Sequence, residues 1–500
     1  EAELNRSKLK ACSFSKINLT RTRFEKADFS NVRVDRSALT ETLFSEIRWT
    51  TGRFDSCTFS KALFQDAALQ EISFLKSTLS QVNLSTESAK HLSFEDADLR
   101  EIETLPRDCS AFDFSDSILS GLDLSSKVFQ DANFRNAQLQ NTILKKADLS
   151  EAKFQKAKLP GADLSEANLT LANFEKADLK KANLSFANAL DARFALARMD
   201  ETLLEKTNFE RTDLRGIALN ATQLGSALLA APLLEGASLV GVDFRDRDLS
   251  DTSFTKCDLR DAKFSGATLK KVEFDRCNLA GADFSNAKLN QADFSQDDLN
   301  GTDFSGACIE GGGFHDCTIK DSRFEKANLT AVSFDGTPLS EAHFREAALI
   351  RLSLTDENLA GVDLSGCELT DSDFSDANLE GANLSDCKAK GVNFTRANLM
   401  KATLQKISAP FADFTGANLS GARFDKADLS SASLEETEAN EANFSEANLD
   451  RIRGEAMQAQ KTLFLRTRLT SAEFPHAKLD LADFGQADLT GANLHAISEV

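Results

Sequence analysis

The chain has 500 residues, a formal net charge of −20 and a hydrophobic content of 41%. This acidity disfavours direct nucleic-acid binding, which needs basic surface to neutralise phosphates. The five histidines are scattered, and the sequence contains no HExxH, GxSxG or P-loop motif. We therefore expect a protein that is not an enzyme and that holds no cofactor or metal.

A large apolar residue recurs at every fifth position from Leu4 to Leu494. Of the 100 positions whose numbers end in 4 or 9, 90 hold Leu, Phe, Ile, Val, Met or Trp, in a register that we interpret as unbroken. Two residues before each of these large sites lies a small site, where 45 of 100 residues are alanine. A period of five matches neither a 3.6-residue helix nor the alternation of a strand, so it indicates a repeat architecture.

Two of every five residues avoid water, which suits a chain that turns a corner every five residues. Four such sides close a coil, and stacked coils pair like neighbouring strands, so the chain would form about 25 coils of about 20 residues. Of 38 phenylalanines, 31 lie at positions ending in 4, so Phe and Leu alternate. An even-sided coil stacks Phe over Phe with this alternation, although duplication of a ten-residue unit explains the same counts.

The repeat is clearest in the segment 162–184, ADLSEANLTLANFEKADLKKANL. It resembles the pentapeptide-repeat family, whose motif is A(D/N)LXX, and the resemblance covers almost the whole chain. The resemblance implies an all-β, right-handed quadrilateral parallel β-helix. We expect residues 1–500 to form one continuous domain of this kind.

The repeat fails most often on one side of the predicted coil, and we predict irregular loops at about 85–130. Glu87, Arg107 and Lys127 occupy small sites there in three successive coils. Either they form a buried charge ladder, which is costly unless fully paired, or this side bulges outward. Pro106 and the displaced Leu105 favour the bulge. Such loops are either tolerated variation or a partner-binding surface. The small residues at large sites on this side are Ala89, Cys109, Ala189, Ala389 and Ala409.

The uncharged segment 216–234 keeps the five-residue register, so we assign it to the repeat and not to a membrane span. Seven of the nine cysteines lie at small sites, where cysteine packs as a small apolar residue. We expect reduced thiols and a cytoplasmic location, with a disulfide as the alternative for stacked pairs such as Cys257 and Cys277.

The most acidic segment is 335–386, with twelve acidic residues against two arginines. A basic protein surface is its natural partner, and the alternative is a solvated face that maintains solubility. Together with Glu87, Arg107 and Lys127, five of its residues complete the candidate partner-binding surface: Asp363, Glu368, Asp371, Asp373 and Asp376.

Three further features follow in the second half of the chain. Asn358, Asn378, Asn398 and Asn418 recur every 20 residues and predict a stacked amide ladder. Gly454 and Ala459 replace large residues and make 450–463 a candidate for a kink. Because no helical cap is apparent at either end, we expect a fragment of a longer protein.

The leading functional hypothesis is a non-catalytic protein–protein interaction scaffold. The resemblance extends to repeat segments of bacterial secretion-associated proteins, including adaptors that load effectors onto type VI secretion spikes. The first alternative is an acidic mimic of DNA that binds DNA gyrase or topoisomerase, as the fluoroquinolone-resistance branch of the family implies. This chain is far longer than that branch. The second alternative is a passive structural spacer. None of the three requires contact with nucleic acid or membrane.

Overall fold

The computed structural model describes residues 2–84, 86–220, 223–224, 227–229 and 232–497. The chain divides into two compact units, Glu1–Val242 and Asp243–Val500. Within each unit the described residues form an all-β parallel solenoid, which confirms the predicted fold class. The single continuous domain and the total of 25 coils remain predictions.

Short strands and isolated β-bridges build both units, because each side of a coil is only five residues long. The strands are β1 Lys8–Lys10, β2 Ser13–Ser15, β3 Arg23–Glu25, β4 Asp28–Asp35, β5 Ala38–Thr40, β6 Leu43–Ser45, β7 Arg48–Asp55, β8 Thr58–Ser60, β9 Leu63–Gln65, β10 Ala67–Leu75, β11 Thr78–Ser80, β12 Thr86–Lys90, β13 Ser253–Thr255, β14 Glu273–Asp275, β15 Asp293–Ser295 and β16 Gly313–His315.

The strands pair in parallel with strands of the neighbouring coils. In the first unit the sheet orders are β1-β4-β7-β10-β12, with β2 also on β4, then β11-β8-β5 and β3-β6-β9. In the second unit the order is β13-β14-β15-β16. Each strand therefore lies on the same side of its coil as its partner.

The bridge register confirms a four-sided coil. Asp113, Ile118, Asp123 and Val128 follow one another at five-residue steps, and each pairs in parallel with the residue 20 positions later. Four ladders per coil are four sides. At the corners, residues whose numbers end in 1 or 6 adopt positive φ, as Asn136 does at 57°. Asn, Asp and Gly tolerate this left-handed conformation best, and they are frequent at these corners.

Phenylalanine stacks fill the core on two opposite sides, as the ten-residue alternation predicts. The ring centroids of Phe134 and Phe154 lie 4.7 Å apart and those of Phe154 and Phe174 lie 4.5 Å apart, with nearly parallel planes. Phe254 and Phe264, on opposite sides, meet edge to face at 6.2 Å and 85°. Both arrangements are favourable for aromatic rings, so the stacks stabilise the coil.

In the second unit, three of the four asparagines of the predicted amide ladder are linked through their side chains, and the segment predicted as a candidate for a kink is regular. Asn378 Nδ2 donates to Asn358 Oδ1 at 3.0 Å, and Asn398 Nδ2 donates to Asn378 Oδ1 at 3.1 Å. Arg453, within 450–463, pairs with residues 20 positions away on both sides. The ladder therefore continues through the small residues of that segment.

The five-residue register slips in the first unit, on one side of one coil. Asn83 pairs with Thr104, an offset of 21 residues, whereas Ser93 pairs with Asp113 at an offset of 20. The register inferred to be unbroken is thus wrong here. Leu105 takes the inward position in place of Thr104 and is only 3% exposed. The irregularity is limited to two short segments, 86–90 and 103–107, and is thus smaller than the predicted 85–130, because Ser93 and Asp98 between them pair regularly.

Two predictions fall partly on residues outside this description. Ser85 belongs to the predicted irregular loops, and residues 221–222, 225–226 and 230–231 belong to the segment 216–234. The described part of that segment keeps the ladder, since Asn208 pairs with Leu228 and Asp213 with Leu233. In the parts of the chain that the structure describes, no helix has the length and hydrophobicity of a membrane span.

Candidate functional site

The candidate site is a gap in one parallel ladder of the first unit. It lies between β12 (Thr86–Lys90) and residues 107–110 of the next coil, and we call it the open interface. On the adjacent sides of these two coils, the bridges from Asn83 to Thr104 and from Ser93 to Asp113 remain closed. The gap is therefore confined to one side.

Three backbone hydrogen bonds that close the next coil interface have no equivalent at the open interface. In the next interface, the N–H groups of Val128, Cys109 and Ala111 donate to carbonyls at 3.0, 2.7 and 2.8 Å. The equivalent donors at the open interface are the N–H groups of Asp108, Ala89 and His91. Among the described residues none of these three bonds forms. His91 and Asp108 are exposed and Ala89 is half-buried, so these peptide groups are accessible to water or to a partner.

The open interface borders a groove of about 580 Å³. Leu84 and Leu105 line it as buried apolar residues, and Ala89 stands where most other coils carry Leu or Phe. The remaining lining residues are Thr86, Glu87, Ser88, Lys90, Thr104, Pro106, Arg107, Asp108 and Lys127.

The structure brings Glu87, Arg107 and Lys127 together around this groove. The register between β10 and β12 shifts so that Ala67 pairs with Thr86 and Ala68 with Ser88, leaving Glu87 as the extra residue of a bulge. Glu87 and Arg107 are exposed. Of the two alternatives drawn from the sequence, the outward bulge is therefore observed and the buried charge ladder is not.

Lys127 is half-buried and holds the irregular turn above the groove. Its Nζ donates to the carbonyl oxygen of Leu105 at 2.9 Å and of Pro106 at 3.2 Å. Its long aliphatic stem allows the charge to leave the small site and reach these oxygens. Behind the groove, burial raises the pKa of the Cys109 thiol to about 12, so this thiol stays protonated and unreactive near neutral pH.

The acidic candidates of the second unit do not form one face. Asp363, Glu368 and Asp373 lie in three different ladders and so point from three different sides of the coil. Asp371 and Asp376 lie at two corners with positive φ. A step of five residues rotates the chain to the next side, so an acidic run in sequence encircles the solenoid.

Three of these carboxylates are already bound within the second unit. Asp363 Oδ1 accepts Asn383 Nδ2 at 2.9 Å, and Asp373 Oδ1 accepts Asn393 Nδ2 at 2.8 Å. Arg396 Nε donates to Asp376 Oδ1 at 2.7 Å and holds the pKa of that carboxyl below its usual range. These contacts support the solvated, structural interpretation of the acidic segment.

Sequence reasoning missed the buried acid Asp297, the most deeply buried carboxylate among the described residues of the second unit. It occupies a small inward site with 2% exposure, and its carboxylate accepts the N–H of Cys277 at 2.6 Å and of Ser295 at 3.1 Å. Burial raises the pKa of this carboxyl to about 7. Its number ends in 7, so the five-residue register alone could have identified it as inward.

Metal and disulfide chemistry find no geometric support in the described residues. No group of three or more His, Cys, Asp or Glu side chains there has an arrangement that could hold a metal ion. The nine cysteines are free thiols, of which Cys57, Cys109, Cys257, Cys277, Cys317, Cys367 and Cys387 are buried.

Comparison with known families identifies the repeat. A model described as pentapeptide repeat region matches residues 247–324 and 327–404. A model described as pentapeptide repeats (8 copies) matches residues 2–45, 108–145, 147–185, 177–216, 412–451 and 460–496. This chain belongs to the pentapeptide-repeat proteins. The matched ranges leave out 46–107, which contains β12 and the register slip.

Solved pentapeptide-repeat proteins are among the structural neighbours. HetL, involved in heterocyst differentiation regulation in the cyanobacterium Nostoc sp., is 25% identical, with 48% of this chain and 88% of HetL covered and a TM-score of 0.14. QnrB1, a plasmid-mediated fluoroquinolone resistance protein, is 19% identical, with 44% and 93% covered and a TM-score of 0.18. Rfr23 from Cyanothece is 23% identical, with 28% and 91% covered and a TM-score of 0.12.

These TM-scores carry no argument about the arrangement of the whole chain, and the family assignment rests on the repeat matches. No curated protein matches this pentapeptide-repeat chain.

Proposed function

We propose that this pentapeptide-repeat protein is a non-catalytic interaction scaffold and that the groove at the open interface contacts its protein partner. The observation that carries the proposal is the open interface itself. Three hydrogen bonds that pair the same positions in the next interface are missing here, at the edge of the groove. Glu87 and Arg107 stand exposed at the rim. Irregular segments on a rigid scaffold commonly carry binding function.

The charges of the groove suit a protein partner more than a nucleic acid. The rim carries Lys90, Arg107 and Lys127 against Glu87 and Asp108, which leaves little net positive charge. Phosphate binding depends on several uncompensated cations, so direct nucleic-acid binding stays disfavoured. We further propose a cytoplasmic location, because buried thiols such as Cys367, with a pKa raised to about 12, are compatible with a reducing compartment.

Affinity capture with the full-length protein tests the proposal. Wild-type protein and the double variant Glu87→Lys, Arg107→Glu are compared as baits in a bacterial lysate, with Arg193→Glu as the control for a charge change on a regular, exposed ladder position. We expect one enriched protein that the double variant loses and the control retains. An identical set of bound proteins on all three baits would contradict the assignment of binding to this groove.

The narrower form of the proposal is an adaptor that loads effectors in a bacterial secretion system. It predicts that the captured partner is a secreted effector and that its secretion falls in the double variant. Capture of a gyrase subunit, with inhibition of supercoiling by the purified protein, would replace this form with the DNA-mimic alternative. Loss of all function on changing only the number of coils, with the groove intact, would favour the passive spacer.

A further inference from the structure

We propose that the open interface binds an extended segment of a partner protein as an additional β-strand between β12 and residues 107–110. This inference rests on the proposed scaffold function and specifies how the partner is held. In the proposed complex, one large apolar side chain of the partner enters the groove above Ala89. The recognition is therefore mainly by the backbone, with one side-chain anchor.

The first argument is the hydrogen-bonding capacity of the two edges. The N–H groups of Ala89, His91 and Asp108 and the carbonyls of Glu87, Asp108 and Ser110 are the six groups that a closed interface would pair. The edge of β12 presents one acceptor and two donors, and the facing edge presents one donor and two acceptors. An inserted strand satisfies both edges at once, which is the mode of β-strand addition.

The second argument is the empty volume at the inward large site. Ala89 and Cys109 succeed each other in a column that holds Leu or Phe in most other coils, as at Phe129. Leu84 and Leu105 complete an apolar floor under a groove of about 580 Å³. A leucine or phenylalanine of the partner would remove this apolar surface from water, an effect of about 25 cal/mol per Å².

The third argument is charge. Asp108 already accepts the N–H and hydroxyl of Ser110 at 2.9 and 2.6 Å, and Lys127 is bound by two carbonyls. The charged rim residues that these contacts leave available are Lys90, Arg107 and Glu87, with two cations to one anion. An acidic residue beside the apolar anchor therefore complements the rim.

The chain supplies its own probe for this site. The peptide 65–74, QDAALQEISF, repeats β10, which already pairs with the other edge of β12. It carries Leu69 as the apolar anchor, between Asp66 and Glu71 as the acidic neighbours. The matched control is the same peptide N-methylated at Ala68, Leu69 and Glu71, because these amides would donate to the two open edges.

Binding of the fluorescently labelled peptide to the full-length protein is measured by anisotropy, and amide hydrogen exchange is followed at Ala89, His91 and Asp108. We expect saturable binding that protects these three amides. N-methylation should weaken binding at least about tenfold, since it removes three hydrogen bonds. Absence of saturable binding up to about 1 mM peptide would overturn the proposal.

Two variants separate a filled groove from a misfolded protein. Ala89→Leu fills the inward site, and we expect it to weaken peptide binding about tenfold while the circular dichroism spectrum is kept. Ala389→Leu makes the same change at a closed interface and should leave binding unchanged. Equal binding of the peptide and its N-methylated form would also overturn strand addition.

The outcomes also separate this inference from the proposed function. If the Glu87→Lys, Arg107→Glu variant loses its captured partner but the partner leaves the exchange of Ala89, His91 and Asp108 unchanged, the groove binds protein by another mode and strand addition is wrong. If the wild type and the double variant capture the same proteins while the peptide binds as expected, the groove accepts a strand. The proposed scaffold surface is then wrong.

Discussion

Ala89 with Cys109 and Ala389 with Ala409 are two pairs of small residues on successive large sites of one side, yet only the first pair borders an open interface. Ala89 and Cys109 border the open interface. In the second unit, Ala389 lies below Ala409, and the ladder there is closed, with Ala389 N–H donating to the carbonyl of Ser408 at 2.7 Å. Missing side-chain volume therefore does not open a coil interface by itself.

The neighbouring small sites explain the difference. Beside Ala389 and Ala409, the small sites hold Cys387 and Ile407, which are buried apolar residues. Beside Ala89 and Cys109, they hold Glu87 and Arg107, whose charges are too costly to bury without partners. The backbone bulges to place both in water, and the ladder opens. Lys127 and Asp297 also occupy small sites, yet both lie beside closed ladders. The comparison therefore teaches that an inward charge breaks the repeat where, as at Glu87, it leaves the small site through a backbone bulge.

The largest expected effect on stability comes from placing a charge in the closed interface between Ala389 and Ala409. Cys387→Glu places an unpaired carboxylate at a buried small site, and we expect it to lower the free energy of unfolding of the second unit by about 3–5 kcal/mol. Urea denaturation measures the loss, and hydrogen exchange should show new exchange at Ala389 and Gly391. Asp371→Lys, an exposed corner change, is the control. An unchanged exchange pattern would contradict the explanation by inward charge.

The pH dependence of stability at the buried acid Asp297 also tests the cost of burying a charge. Its folded pKa of about 7 lies above the ordinary value of 3.8, so the folded state binds more protons than the unfolded state between these values. Its contribution to stability is present below about pH 4 and is lost as the pH rises through 7. The difference of about three pKa units corresponds to about 4 kcal/mol as an upper limit.

The matched variant is Asp297→Ser, because Ser77 Oγ accepts the N–H of Cys57 at the equivalent site of the first unit. We expect the variant to be more stable than wild type at pH 8 and to show a smaller loss of stability between pH 4 and 8 by urea denaturation. A wild-type slope that the variant retains would show that other groups control this pH range.

Restoring the repeat at the open interface should increase stability, by an amount smaller than the losses predicted above. The double variant Glu87→Ala, Arg107→Ala removes the charges that force the bulge, so we expect the three missing hydrogen bonds to form and the first unit to gain about 2–3 kcal/mol. Protection of the Ala89 and His91 amides from exchange is the direct readout. Continued fast exchange of both amides would show that the register slip alone keeps the interface open.

Removing the ammonium of Lys127 should have the smallest effect. Lys127→Met keeps the aliphatic stem but leaves the carbonyls of Leu105 and Pro106 without their donor, at a cost of about 1–2 kcal/mol. Exchange should increase at residues 105–110. Lys156→Met, at an exposed corner, should change neither measurement. An equal loss in both variants would indicate a general effect of the charge and not of this contact.

The regular part of the fold could be predicted from the sequence because the place of a residue in the five-residue repeat determines whether its side chain points inward. Leu and Phe at every fifth site gave the sides, and Phe134, Phe154 and Phe174 stack as their 20-residue spacing requires. The same register identified Glu87, Arg107 and Lys127 as misplaced, since three charges occupied sites that should be small and apolar.

The sequence could not show how the chain responds to these misplaced residues. The backbone bulges outward at Glu87, and Leu105 takes the inward position instead of Thr104. Both responses depend on the balance between backbone pairing and charge burial, which a repeat pattern does not reveal. The acidic candidates failed for a different reason. Asp363, Glu368 and Asp373 are neighbours in sequence but lie on three sides of a coil, so a sum of charge along the chain does not measure charge on a face.

The slip at Thr104 also has a consequence at the level of the gene. The chain gains one residue before Thr104, whose bridge to Asn83 spans 21 positions, and loses it again by Asp108, whose bridge to Val128 spans 20. An uncompensated codon would turn every later side chain to the wrong face, as a register slip does in any sheet. Such a gene therefore tolerates an insertion or deletion when a second change restores the register within one quarter of a coil. It also tolerates the gain or loss of a whole coil of 20 residues.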